Sequence, residues 1–208
     1  MEDVLDVYCR PYDPLYPVVC MDESSKQLLK EVHEPLPMES GKPQRVDDHY
    51  ERNGTANVFL ACEPLRGWRE VKVTERRTKV DWAHFVRELV DEHYPEALKV
   101  VLVLDNLNTH RPASLYEAFE PAEAKRIWDR LELHLTPLHG SWLNIAECEF
   151  SVLSRQCTNH RVPDYQALQL QTEAWQQERN HCAAPVKWQF TTADARIKLE
   201  HLYPQIHN

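Results

Sequence analysis

Five consecutive apolar residues, Val100-Val101-Leu102-Val103-Leu104, end abruptly in Asp105. A run of that length, all branched and without polar alternation, suits a strand buried on both faces, and such strands belong to sheets covered by helices. It predicts an α/β fold. Asp105 then stands at the carboxyl end of a core strand, where open sheets with parallel strands bind their ligands. A shorter run, Val18-Val19-Cys20-Met21, ends the same way in Asp22 and Glu23. If the two strands are parallel neighbours, Asp22 and Asp105 lie side by side at one sheet edge.

The segment Ser141-Trp142-Leu143-Asn144-Ile145-Ala146-Glu147 reads as the opening of a helix, which could place Glu147 beside them. Three clustered carboxylates repel one another without a cation. Hard divalent ions such as Mg²⁺ or Mn²⁺ take oxygen ligands, and two of them activate an attacking oxygen and stabilise a leaving one in phosphoryl transfer. The chemistry implied is the cutting or joining of phosphodiesters.

Each residue also has a plainer role. Asp105-Asn106 after a strand is good turn chemistry. Glu23 competes with Asp22, and strand alternation sends the two to opposite faces, so only one can join the cluster. Asn144 followed three residues later by Glu147 resembles a capping box, a structural helix start. Glu149 is a rival as well: with Leu143, Ala146, Phe150 and Leu153 as the buried stripe, Glu147 and Glu149 flank it on opposite edges, and periodicity does not choose between them. Asn106 and His110 could orient a phosphate or a water, or simply cap the next helix. Cys157, His160, His181 and Cys182 match no standard zinc spacing. Trp142 is expected in the core.

At 208 residues and 42% hydrophobic content, the chain can bury one substantial core. There is no apolar run long enough to span a bilayer and no signal peptide at the acidic start, so a cytoplasmic protein is expected. The six cysteines contain no C-x-x-C pair and imply no disulfide framework. A net charge of -9 argues against a surface that grips nucleic acid everywhere. One stretch runs against that average: Arg66, Arg69, Lys72, Arg76, Arg77 and Lys79 are opposed only by Glu70 and Glu75. It is the candidate for phosphate contact, and equally an ordinary solvated strand face, since Val71 and Val73 alternate with polar residues.

Along the chain, the Tyr- and Pro-rich stretch ahead of Val18 makes 1–17 a linker-like segment. Strands are expected over 18–21, 27–32 and 57–62, with 68–74 as a hairpin partner and 34–53 as a polar loop. Helical spacing runs over 81–94, stopped by Pro95, and again over 113–131; a short strand follows at 131–135. The order fits a ribonuclease H-like mixed five-stranded sheet flanked by helices, with the Asp22 and Asp105 strands adjacent and parallel, as right-handed crossovers permit. Residues 18–160 would form this catalytic domain. Over 161–208 a helical extension would pack on it, with one helix after Asp164 and a last one near 193–202.

The blocks VVCMDESSKQL, VLVLDNLNTHRPASLYEAF, PLHGSWLNIAECEFSVLSRQC and FTTADARIKLEHLYP occur in that order. Together they resemble transposases of bacterial insertion sequences in the mariner superfamily, of the insertion sequence six-thirty type. The resemblance implies a DDE endonuclease domain that cuts and joins DNA strands with two Mg²⁺ or Mn²⁺ ions. Its catalytic, metal-holding acids would be Asp22, Asp105 and Glu147, the last in the Asn-x-x-Glu motif Asn144–Glu147. It further implies double-stranded DNA, at element ends and target, as partner, and a homodimer on that DNA. Family members carry a helix-turn-helix region ahead of the linker, which a separate partner would supply here. Two other expectations stand beside this one: a non-catalytic DNA-binding or regulatory remnant, and a stand-alone nuclease of the same fold.

Overall fold

The structure, a computed structural model, describes residues 1–33, 38–41 and 48–203. The chain opens with helix α1 (Glu2–Tyr8), whose Val4, Leu5 and Val7 are buried. The segment expected to be a linker therefore begins as a packed helix, and only 9–17 lacks helix and strand. Seven residues are too few for periodicity to announce a helix, but enough to bury three apolar side chains.

Strands β1 (Val18–Glu31), β2 (Tyr50–Glu63) and β3 (Trp68–Thr74) form an antiparallel meander. The two strands expected over 18–21 and 27–32 are one, so Asp22 lies inside β1 and not at a strand end. The polar residues between them stay paired with β2, and the register shifts only between Gln27 and Leu29. Backbone pairing does not need apolar side chains, so hydropathy alone under-read the strand. The loop expected over 34–53 ends sooner, because β2 starts at Tyr50; residues 34–37 and 42–47 lie outside the described ones.

Helix α2 (Lys79–Glu88) starts with a reciprocal cap between Thr78 and Asp81 and ends in a wider π-helical turn, Leu89–His93. Strand β4 (Val100–Leu104) is buried at every position. The single helical stretch expected next is two, α3 (Pro112–Ala118) and α4 (Pro121–Asp129). Pro121 lacks the N–H that would continue the first helix and suits the opening turn of the second. Strand β5 (Leu131–Leu135), α5 (Ile145–Leu153), α6 (Tyr165–Cys182) and α7 (Thr192–Lys198) complete the chain.

The sheet order is β3-β2-β1-β4-β5, with β1 parallel to β4 and β4 parallel to β5. Alternation divides the core. Cys20, Leu60, Cys62, Val101 and Val103 face Val4, Ala146 and Leu168 of α1, α5 and α6. Val19, Met21, Phe59, Leu102 and Leu104 face Trp82, Leu115 and Ile127 of α2, α3 and α4. The outer edge of β3 is closed by α6: Val71 N–H donates to Gln176 Oε1 at 2.6 Å, Arg69 N–H to Asn180 Oδ1 at 2.8 Å, and Tyr165 donates to the Val73 carbonyl at 2.7 Å. An edge satisfied this way offers no template for another strand. No described helix is long and apolar enough to cross a membrane.

Candidate active site

The parallel ladder runs from Val18 opposite Val101 to Cys20 opposite Val103. Asp22 lies two residues further along β1 and Asp105 directly follows β4, close enough for the Asp105 charge to act on Asp22. Asn144 brings in the third acid. Its fully buried side chain donates from Nδ2 to the Met21 carbonyl at 2.8 Å and accepts from Ala146 N–H at 3.1 Å. One amide thus caps α5 and ties its first turn, which carries Glu147, to the residue before Asp22.

The capping-box reading of Glu147 does not hold, because the Asn144 N–H donates to the Ser141 carbonyl at 2.7 Å. Glu147 has no hydrogen-bond or ion-pair partner among the described residues. Its rival is committed elsewhere. Glu149, 3% exposed, receives Arg69 Nε at 2.9 Å and Nη2 at 2.8 Å, with Arg179 at 3.5 Å.

Burial pushes the Asp22 carboxyl up to about 7; the Glu23 N–H, 2.8 Å from its Oδ1, pulls the other way, and the negative charges of Asp105, Glu23 and Glu147 add to the rise. The three acids are therefore within electrostatic reach. Among the described residues, no three Asp, Glu, His or Cys side chains converge closely enough to hold an ion.

Glu23, the competitor of Asp22 in the sequence, points to the opposite face and is paired with His110. The His110 Nε2 lies 2.9 Å from Glu23 Oε1, and its Nδ1 lies 3.0 Å from the Asp105 carbonyl and 2.8 Å from Asp105 Oδ1. Burial opposes the imidazolium, yet hydrogen bonds to Asp105 and Glu23 outweigh it and lift the ring to about 10. With acceptors at both nitrogens, the ring donates twice. The Nδ1–H is aimed at the carbonyl, and the buried Asp105 Oδ1 is left without a directed donor.

The proton affinity of Asp22 and an all-oxygen donor set fit a hard divalent cation in chemistry, although the carboxylates are not drawn together around one. Asn106 is exposed beside them.

The basic stretch divides. Arg69 is 1% exposed and locked on Glu149, so it is withdrawn as a phosphate contact: strand alternation turns it into the interior, where it meets α5. Lys72 pairs with Glu88, Lys79 with Glu117 at 3.4 Å, and Arg66 with Glu63 at 3.8 Å. Arg76 and Arg77 lie exposed in the turn after β3. Trp142 is not in the core. It is 44% exposed and meets Phe190 edge-on at 6.2 Å, because Leu143 takes the inward position of that turn.

A mixed sheet in this order, with one acid inside its central strand β1 and another directly after the parallel β4, defines a ribonuclease H-like domain. A family model described as DDE superfamily endonuclease matches residues 17–169, and the chain belongs to that family. Among solved structures it is similar to the Mos1 strand transfer complex, with a TM-score of 0.50 and 13% identity over 87% of this chain and 55% of that one. A Mos1 mariner paired end complex with Mn gives a TM-score of 0.48 and 14% identity, again over 87% and 55%. The chain thus spans about half the length of those structures. No curated protein sequence matches it significantly.

Proposed function

We propose that this chain is the catalytic domain of a DNA transposase, in which Asp22, Asp105 and Glu147 hold two divalent ions. One arrangement carries the reading. Asp22, inside β1, and Asp105, directly after the parallel β4, lie within electrostatic reach of each other and of an unpartnered third acid in the turn that Asn144 ties to β1. Two bound ions of the Mg²⁺ or Mn²⁺ class would activate water, then a freed 3′ hydroxyl, and neutralise charge on the leaving oxygen. The chain's own part is to present carboxylate oxygens, which must draw together on binding, and to keep α5 in register with β1 through Asn144. Arg76 and Arg77 would meet backbone phosphates of double-stranded DNA. A homodimer on that DNA completes the proposal.

The test is nicking of labelled duplexes carrying the element's terminal repeats, in Mn²⁺, by the wild type and Glu147→Gln. Repeat-dependent cleavage and strand joining lost in the variant support the reading. Cleavage that ignores the repeats points to a stand-alone nuclease, and equal activity of the two proteins would refute the assignment of Glu147. DNA binding without cleavage would make the chain a regulatory remnant.

A further inference from the structure

The backbone ladder between β1 and β4 stops at Cys20 and Val103, two residues short of the acids it serves to align. What crosses the gap is a chain of side chains, from Glu23 through His110 to Asp105. The Glu23 and His110 side chains are 4% and 0% exposed. One ring holds both the carbonyl and the carboxylate side of Asp105, at 3.0 and 2.8 Å, while its far nitrogen is anchored on β1 through Glu23 at 2.9 Å.

The ring is itself held. Trp82 of α2 packs on it with centroids 5.6 Å apart, and the His110 N–H closes a turn onto the Leu107 carbonyl at 3.1 Å. Burying an acid and an imidazole at the end of an apolar core is costly, and hydrophobic residues of similar volume often serve stability as well or better. Their placement is better explained by geometry than by stability: they set the distance and orientation of one site acid relative to the strand that carries the other.

We propose that Glu23 and His110 are positioning residues, which fix the Asp105 carboxylate relative to β1 so that it can share a cation with Asp22. This rests on the metal-site reading of the acids. Neither residue is assigned to the ions themselves; each acts through Asp105, as outer partners of metal ligands do.

The experiment measures Mn²⁺ affinity by titration calorimetry and by loss of the free Mn²⁺ electron paramagnetic signal, with circular dichroism as a check of folding. Glu23→Gln keeps an acceptor for Nε2 and should bind Mn²⁺ within about 3-fold of wild type. Glu23→Leu and His110→Phe, the latter still able to pack on Trp82, should weaken binding by about 10- to 100-fold. Folded Glu23→Leu or His110→Phe with wild-type affinity overturns the proposal, as does an equal loss in Glu23→Gln. Should one of the apolar variants not fold, the other decides, and His110→Asn replaces both if neither folds. Absence of Mn²⁺ binding by the wild type would be a different failure, removing the metal-site reading and this proposal with it.

Discussion

Glu147 and Glu149 are separated by one residue on α5 and meet opposite surroundings. Two helical steps of about 100° turn them to different sides. Glu149 enters the interior and is held by a two-pronged Arg69, which is itself 1% exposed. Glu147 has no hydrogen-bond or ion-pair partner among the described residues, and its charge helps to raise the proton affinity of Asp22. The difference teaches how to sort acids in such a chain. A carboxylate clamped by a buried arginine is a structural part; Glu147, near other acids and without such a partner among the described residues, is the one proposed as an ion ligand.

The largest expected effect breaks the comparison at Glu147. Glu147→Gln should lower Mn²⁺-dependent strand cleavage by roughly 10³-fold or more, since a lost ion ligand removes several kcal/mol of transition-state stabilisation. Its unfolding free energy should move by no more than about 0.5 kcal/mol, checked by urea denaturation. Glu149→Gln should do the reverse. Leaving Arg69 buried without its counter-charge costs about 3–5 kcal/mol, while cleavage per folded molecule stays near wild type. Replacing both partners, as Arg69→Met with Glu149→Leu, should recover much of that loss; a double variant as unstable as the single one would show that the pair is not the reason.

Asp22 sharpens the contrast through pH. Its carboxyl titrates near 7 in the fold against about 3.9 in an unfolded chain, so between those values the native state holds the extra proton. Stability from this group is therefore complete below about pH 4 and is lost as pH rises through about 7. Asp22→Asn should remove that slope and be the more stable protein at pH 8, by on the order of 1–3 kcal/mol. Urea midpoints at pH 5 and pH 8 measure it, and parallel profiles for the two proteins would contradict the assignment.

The smallest effect concerns the basic stretch, which splits as α5 does. Arg76→Ala with Arg77→Ala should weaken DNA binding several-fold and reduce the salt slope by about two counterions. Lys72→Ala, whose cation already pairs with Glu88, should change it little.

Much of the architecture was legible because burial leaves a direct mark on composition. The run 100–104 suited a core strand and is one, and the Pro and Asp punctuation around 95, 105 and 164 bounded the elements correctly. What stayed illegible depended on partners distant in the chain. Residues 22–26 continue β1 because β2 lies alongside, and no side chain in 22–26 announces that. Arg69 reads as a surface cation in a half-buried strand until α5 supplies Glu149. Glu23 reads as a competitor for the site until His110, from the loop after β4, reaches it on the opposite face.

From the sequence alone came the buried strand followed by Asp105, a second strand carrying Asp22, and a helix start holding Asn144 and Glu147, because hydropathy period and capping chemistry act between near neighbours. Tertiary structure alone decided which of two glutamates was neutralised, which arginine was buried, and that Asn144 joins α5 to Met21. Those choices depend on charges and carbonyls brought together from remote parts of the chain. Periodicity sets an angle around a helix or the face of a strand, and carries no information about what stands opposite.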